Sequence, residues 1–240
     1  VVGSPNAPVN ETSYQLFATA KRNRTRVIYA GANDGFLHAF NAGDWDAALA
    51  PPRHDRGTGE ELFGFMPHAV RDVVKELPKQ TSFPRTLETV DGSPAVADAW
   101  FYREVSGSDL TSVNPLLDPE DSVLARWRTV LISGLRNGGE QLFALDVTDP
   151  TSAASEPVTD FPRYLWGFPC DDCGNAVNPG TAGEATYMGA SWSEPVLTRV
   201  RVAADGGGAG GYDRWVAIFG AGYHPHGDPN GSDYKVPGDV

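Results

Sequence analysis

The two cysteines of the 240-residue chain lie three positions apart, at Cys170 and Cys173, with two aspartates between them. No histidine follows Cys173, which excludes a c-type haem attachment motif. Two cysteines with no histidine nearby are too few ligands for a structural zinc site. Redox catalysis by such a pair requires a thioredoxin-like βαβ setting, which the surrounding sequence lacks.

Oxygen-bearing side chains alternate late in the sequence at Asp228, Asn230 and Ser232, and Asp239 follows. Counted from Asp228, these four residues fill positions 1, 3, 5 and 12 of a calcium-binding loop. Position 6 is Asp233 rather than glycine, and position 12 is aspartate rather than glutamate. A plain hairpin loop is therefore favoured, and the four residues are a weak calcium candidate.

No set of residues in the sequence forms a recognisable catalytic centre. His224 and His226 supply two imidazoles but have no identifiable third metal ligand beside them, and His38 falls in a predicted strand, where a structural role is the default. The sequence contains no Gly-x-Ser-x-Gly elbow, phosphate-binding loop or zinc-protease motif. We therefore assign no catalytic and no cofactor-binding residue, and predict that the chain is not an enzyme.

The composition limits the classes of partner. Acidic residues outnumber basic ones by 31 to 19, for a net charge of −12. Nucleic-acid binding is excluded because no basic stripe is present to displace phosphate counterions. No stretch reaches the roughly 18 apolar residues of a membrane-spanning helix. Because Val1 opens the sequence and no closing element ends it, we expect an internal piece of a longer protein.

Repeated strands and turns must position all of these residues. Apolar runs rich in β-branched or aromatic residues end in glycine at residues 27–31, 130–134 and 216–220, and each predicts a buried strand. Asn33-Asp34-Gly35 and Asn137-Gly138-Gly139 then turn the chain into return strands at 36–42 and 141–147. Helical patterns are few, at 13–21 and 67–77.

The order of the flanking strands defines the predicted fold. Segments 93–96 and 193–197 precede the second and third runs, and segments 62–65 and 165–168 follow the first and second hairpins. The unit is a four-stranded antiparallel blade, and the fold class is an all-β propeller present as an incomplete fragment of about two and a half blades. The predicted blades are about 1–80, about 81–185 and, in part, about 186–240. The spacing of the runs exceeds the about 40–50 residues of a typical propeller repeat, which predicts insertions at 43–57, 103–125 and 169–189.

Two segments resemble the tryptophan-docking motif of quinoprotein-type propellers. Residues 144–150 (Ala-Leu-Asp-Val-Thr-Asp-Pro), followed by Leu165-Trp166, carry it once. In the first blade the same motif is split by an insertion, with 39–42 separated from 58–63. The resemblance implies a blade-docking role for seven residues: Asn41, Thr58, Gly59, Phe63, Asp146, Thr148 and Trp166.

Residues 26–41, 90–96 and 127–150 more specifically resemble the β-propeller domain of the PilC/PilY family of type IV pilus tip and biogenesis proteins. The resemblance implies an exported Gram-negative protein at the cell surface, associated with the pilus or outer membrane. It implies pilins, minor pilins and host or abiotic surfaces as partners. In an exported protein, Cys170 and Cys173 are expected to form a loop-closing disulfide.

The resemblance leaves two functional hypotheses. The first is a non-enzymatic propeller platform that acts in pilus assembly and surface adhesion, with specificity in the insertions at 43–57 and 103–125. The alternative is a quinone-cofactor (PQQ-type) dehydrogenase of the same superfold, since fold alone does not separate the two. Such enzymes use calcium, a catalytic aspartate and a disulfide between adjacent cysteines, from which the spacing of Cys170 and Cys173 departs. The calcium loop of the pilus family usually lies in a later blade, and no segment here matches it well.

Overall fold

A computed structural model describes residues 1–76, 78, 88–102, 125–150, 161–169, 188–203 and 211–222 of the chain. The helices are α1 (Thr12–Ala20), a 3₁₀ turn (His68–Val70) and α2 (Arg71–Glu76). The strands are β1 (Arg26–Gly31), β2 (Leu37–Gly43), β3 (Trp45–Asp46), β4 (Arg53–His54), β5 (Glu61–Phe65), β6 (Ala95–Tyr102), β7 (Ala125–Gly134), β8 (Leu142–Asp146), β9 (Arg163–Phe168), β10 (Val196–Ala203) and β11 (Gly211–Ile218).

Consecutive strands pair antiparallel in three successive sheets. The first sheet has the order β1-β2-β5, the middle sheet β6-β7-β8-β9 and the third sheet β10-β11. A separate hairpin, β3-β4, lies in the insertion between β2 and β5. This arrangement confirms the predicted all-β class of antiparallel blades. The three sheets of the described ranges do not form a closed ring of blades, which is consistent with an incomplete propeller.

The strand registers show that the first and middle sheets are repeats of one unit. Val27 lies opposite Asn41 in the first sheet, and Val130 lies opposite Asp146 in the middle sheet. The pairing of β10 with β11 repeats that of β6 with β7. The glycine-terminated runs at 27–31, 130–134 and 216–220 are therefore equivalent, although β11 ends two residues before Gly220.

Among the described residues, the first sheet has no full counterpart of β6. A single pair of hydrogen bonds stands in its place, between the backbone of Val2 and that of Val27, at 2.8 and 2.9 Å. Pro5 and Pro8 follow, and proline has no N–H with which to extend a ladder. Of the two helical patterns, α1 matches 13–21 closely, whereas the pattern at 67–77 begins as a 3₁₀ turn before α2.

The middle sheet is buried on both of its faces. One cluster joins it to the first sheet and includes Val27, Leu37, Ala39, Leu131, Phe143 and Leu145. The other joins it to the third sheet and includes Val130, Ile132, Leu142, Ala144, Leu197 and Trp215. Successive side chains of a strand point to opposite faces, so all five residues of β8 are buried.

The outer faces of the first and third sheets are open in the described part of the chain. Ile28 is 42% exposed on the first sheet, and Val196 and Ile218 are 57% and 55% exposed on the third. Val196 and Ile218 lie directly opposite one another and share a face. Large apolar side chains are therefore uncovered at both ends of the stack of three sheets.

Candidate functional site

The N-terminal segment, residues 1–25, is tied to the middle sheet by a buried polar network. The Tyr14 hydroxyl donates to one Asp98 carboxylate oxygen at 2.7 Å, and the Thr129 hydroxyl donates to the other at 2.6 Å. The amide of Ala7 donates to the Tyr14 oxygen at 2.7 Å. Asp98 and Thr129 are 7% and 1% exposed, so these bonds supply the partners that a buried carboxylate needs.

Arg24 extends this network to the end of β8. Its Nη1 donates to the Thr129 hydroxyl at 2.6 Å and to the Thr148 carbonyl at 3.2 Å, and its Nε donates to the Gly3 carbonyl at 2.7 Å. Burial lowers the pKa of the Arg24 guanidinium, and the charge of Asp98 opposes that shift. The network thus holds a carboxylate and a guanidinium joined through one hydroxyl.

A cavity of about 780 Å³ adjoins the network. Its walls are the extended residues 1–9, the beginnings of β6 and β10, and the side chains of Arg24, Asp98 and Trp215. This volume lies in the range of small-ligand sites. The polar atoms of Asp98, however, are engaged by Tyr14 and Thr129, and the buried Thr129 hydroxyl is itself bonded to both Asp98 and Arg24.

The predicted docking residues of the middle sheet close the turn after β8. Asp146 Oδ1 accepts from the Thr148 amide at 3.0 Å and from its hydroxyl at 2.6 Å, and Oδ2 accepts from Arg128 at 2.7 Å. The Thr148 hydroxyl also accepts from the Thr129 amide at 2.9 Å. Trp166 lies opposite Ala144 on β9 and packs into the cluster between the middle and third sheets.

The first sheet has the same turn chemistry with an amide in place of the carboxylate. Asn41 Oδ1 accepts from the amides of Gly43 at 3.0 Å and Thr58 at 3.4 Å, and its carbonyl accepts from Gly59 at 3.0 Å. Gly59 has φ +71°, a conformation that favours glycine. Phe63 packs edge-on against Phe161, with ring centres 5.2 Å apart. The seven docking positions therefore lie at the two turns and at the interfaces between sheets.

The insertion between these turn residues projects the β3-β4 hairpin. Trp45 lies edge-on to the His54 ring, with ring centres 5.3 Å apart at 79°. His54 is 9% exposed and its Nε2 donates to the Arg24 carbonyl at 2.9 Å. Trp45 itself remains 37% exposed, so the hairpin displays an aromatic side chain on an anchored base.

His38 lies between two carboxylates on the open face of the first sheet. Its Nδ1 is 2.6 Å from Glu61 Oε1 and its Nε2 is 2.9 Å from Asp34 Oδ2. The hydrogen bond to Glu61 is the main cause that raises the pKa of His38, and Asp34 adds to it against the effect of burial. In register, His38 occupies the position that Phe143 holds in the middle sheet.

Several predicted residues fall outside the described ranges, so the structure adds nothing on them. They are Cys170, Cys173, Asp228, Asn230, Ser232 and Asp239, together with most of the insertion at 103–125. Among the described residues, no three His, Cys, Asp or Glu side chains are grouped to hold a metal ion. None of the helices in the described part of the chain is long and apolar enough to cross a membrane.

The sequence offered only weak signals for the residues that the structure adds. Asp98 stands between Ala97 and Ala99 in an apolar strand, and a lone carboxylate there implies a buried partner without identifying it. Trp45 stands between two aspartates, and its strand has only two residues. Such a short strand produces no detectable alternation of apolar and polar residues.

Comparison with known proteins gives a family-level match over nearly the whole chain. Residues 4–233 match the model of the PilY1 beta-propeller domain. The chain is 33% identical over 184 residues to a type IV pilus biogenesis factor PilY1 homolog from Xylella fastidiosa, covering 74% of the chain and 11% of the relative. It is 29% identical over 212 residues to the type IV pilus biogenesis factor PilY1 of Pseudomonas aeruginosa PAO1, covering 88% of the chain and 12% of the relative.

Among solved structures, the crystal structure of the Pseudomonas aeruginosa PilY1 C-terminal domain aligns with a TM-score of 0.49 at 26% identity. The alignment covers 92% of the chain and 31% of that domain. The chain spans about a tenth of the length of the curated relatives that it matches, at 11% and 12%.

Proposed function

Because the chain belongs to the PilY1 β-propeller family, we propose that it is part of a non-enzymatic propeller platform that acts in type IV pilus assembly and surface adhesion. The protein is exported and displayed at the cell surface with the pilus. Its partners are pilins or minor pilins and the host or abiotic surfaces that the pilus reaches.

The match of residues 4–233 to one propeller family carries this proposal. Its relatives are named as type IV pilus biogenesis factors. The match spans all three sheets, so it covers the stacked core as well as the turns. The pilus role follows from this family rather than from the propeller fold, which many unrelated functions share.

The packing of the three sheets suits a platform. The middle sheet is held by apolar clusters on both faces, and closely packed interiors resist deformation. Loops on a rigid scaffold are the usual place for binding residues. The β3-β4 hairpin has this arrangement, since its base is bonded to Arg24 of the N-terminal segment and to Asn41 of the first sheet, and its tip is exposed.

A genetic experiment tests the role in the pilus. The gene of the full-length protein is deleted in its bacterium and complemented with the native gene or with a form in which two glycines replace residues 45–54. Surface pili are measured by shearing and immunoblotting, and attachment is measured under flow. We expect the deletion to lose both properties, the native gene to restore both, and the shortened form to restore pili but not full attachment.

Two results would count against this proposal. Normal pili and attachment in the deletion strain would remove the role in assembly and adhesion. Quinone-dependent dye reduction by the purified full-length protein, supplied with calcium and abolished by one aspartate substitution, would favour the dehydrogenase.

A further inference from the structure

The tip of the β3-β4 hairpin, residues 45–52, is a small apolar surface on a strongly acidic chain. Its sequence is Trp-Asp-Ala-Ala-Leu-Ala-Pro-Pro. The exposed members are Trp45, Ala47, Ala48, Ala50, Pro51 and Pro52. Asp46 is the one charged residue of the tip, and its carboxylate accepts from the Ala48 amide at 2.8 Å. The tip therefore presents apolar side chains, and the carboxylate of Asp46 is already hydrogen-bonded within the turn.

The base of the hairpin holds this tip in a fixed position. The Asp44 carboxylate accepts from the Thr25 hydroxyl at 2.5 Å and from the Asn41 amide at 2.8 Å. The Asp55 carboxylate accepts from the backbone amides of Asp44 at 2.9 Å and Gly57 at 2.7 Å. Because the base is already ordered, contact through the tip costs little conformational entropy.

The rigidity extends to the aromatic side chain. Trp45 is braced by the buried ring of His54, which in turn is hydrogen-bonded to the Arg24 carbonyl. A large aromatic held in one orientation offers contact area at low entropic cost. Trp45 is therefore the principal contact residue of the tip.

The chemistry of the tip selects against anionic surfaces and against polar grooves. The nearest cation is Arg53, which donates to the Pro51 carbonyl at 3.5 Å, and the chain as a whole carries a charge of −12. An anionic surface is therefore repelled. Protein interfaces typically include about one hydrogen bond per 100–200 Å², but the only polar side chain of the tip is already engaged. A featureless apolar surface needs only apolar contact area.

We propose that residues 45–52 form a contact site for uncharged, hydrocarbon-like solid surfaces. This inference rests on the adhesive role proposed above and assigns the chemistry of one contact within it. Trp45 supplies the main contact area, and the alanines and prolines allow it to lie flat against the surface.

Adsorption of the full-length protein to defined monolayers tests this site. Native protein is passed over methyl-, carboxyl- and amine-terminated monolayers in a quartz crystal microbalance, at physiological salt. We expect stronger adsorption on the methyl surface than on the carboxyl surface, and we expect Trp45→Ser to weaken adsorption to the methyl surface about tenfold. Adsorption to the amine surface follows the net charge of −12 and should not change in this variant. Trp192→Ser is the matched control, since Trp192 is more exposed, at 48%, but lies beside Arg136 away from the hairpin; its adsorption should stay within about twofold of native.

A second variant keeps the test valid if Trp45→Ser disturbs the hairpin. Ala48→Lys adds a charge at an exposed position without removing the Trp45–His54 contact, and it should weaken adsorption to the methyl surface alone. Equal losses for Trp45→Ser and Trp192→Ser, unchanged adsorption of Ala48→Lys to the methyl surface, or stronger native binding to the carboxyl than to the methyl surface would each overturn the site. In bacteria, Ala48→Lys should leave pili intact, so loss of this contact is distinguishable from loss of the pilus role.

Discussion

The hydroxyl of Tyr14 and the carboxylate of Asp98 form a 2.7 Å hydrogen bond across 84 positions of the sequence. The bond joins helix α1 to the first strand of the middle sheet. Tyr14 is only 2% exposed, and its ring lies edge-on to Trp127 at 4.8 Å. The N-terminal segment is thereby part of the core of the middle sheet.

Removal of the Tyr14 hydroxyl should destabilise the chain. Tyr14→Phe leaves Asp98 with one donor fewer in a buried site, at an expected cost of about 1–3 kcal/mol in the free energy of unfolding. Tyr29→Phe is the matched control, because the Tyr29 hydroxyl is buried and has no hydrogen-bond partner among the described residues. It should change stability by less than about 0.5 kcal/mol or raise it. Urea titration followed by tryptophan fluorescence measures both, and equal losses would contradict the role of the bond.

The same residue gives a prediction at alkaline pH. Burial and the bond to Asp98 raise the pKa of Tyr14 to about 12. Because the unfolded phenol ionises near pH 10, the stabilisation is fully present below pH 10 and is lost as the pH rises towards 12. Absorbance titration at 295 nm should show that part of the tyrosine ionisation of the native protein occurs at higher pH than in the unfolded chain. This late part should be smaller in Tyr14→Phe. A titration identical to that of the urea-unfolded chain would contradict this.

His38 should make stability depend on pH near neutrality. Its pKa is raised in the folded state, so its contribution is fully present below the unfolded pKa of about 6.5 and is lost as the pH rises through the folded value. His38→Gln should remove that dependence, and Glu61→Gln should reduce it, since Glu61 is the main cause of the shift. Unfolding midpoints from pH 5.5 to 9 measure the effect. A His38 titration midpoint at or below about 6.5 by NMR would contradict it.

The two-sided burial of the middle sheet predicts unequal costs for two apolar truncations. Phe143 is 1% exposed and packs against Phe65, with ring centres 5.2 Å apart. Phe143→Ala should cost about 3–5 kcal/mol, whereas Ile28→Ala should cost less than about 1 kcal/mol because Ile28 is already 42% exposed. Thermal and urea unfolding compare the two variants, and similar losses would show that the sheets are not stacked as described.

Two glycines should respond differently to alanine. A Cβ at Gly138 would lie 1.6 Å from the Thr89 carbonyl oxygen, whereas a Cβ at Gly220 would meet only Ser193, at 3.6 Å. Gly138→Ala must displace backbone and should cost about 3 kcal/mol or more, and Gly220→Ala should be nearly neutral. The yield of folded protein and its melting temperature give the comparison.

The strands were predictable from sequence because their signals are local. The run at 130–134 is rich in β-branched residues, and the turn at 33–35 ends in Gly35, whose φ of +102° favours glycine. The order of the strands along the chain was enough to predict which strands are equivalent in the different sheets. The end of the first sheet was less regular, because Pro5 and Pro8 reduce its first strand to the single pair formed by Val2 and Val27.

The polar network and the hairpin were not predictable in the same way. Arg24 and Thr129 are hydrogen-bonded although they lie 105 positions apart. The sequence around either residue does not identify the other as its partner. The hairpin strands have two residues each, too few to show a period. His38 and Asp34 are four positions apart, but Glu61 completes the arrangement only because β2 pairs with β5. Contacts of this kind depend on the assembled sheets.

The N-terminal segment contacts residues far along the sequence, and this sets the order in which contacts form during folding. Tyr14 is hydrogen-bonded to Asp98, and Arg24 is hydrogen-bonded to Thr148, which lies 124 positions later. Glu11 forms an ion pair with Arg199, 188 positions later. Residues 1–25 therefore find these partners only after much longer segments of the chain have folded. Closing such long loops is slow compared with forming the local hairpins, so the contacts of Tyr14 and Arg24 follow the middle sheet and that of Glu11 follows the third sheet.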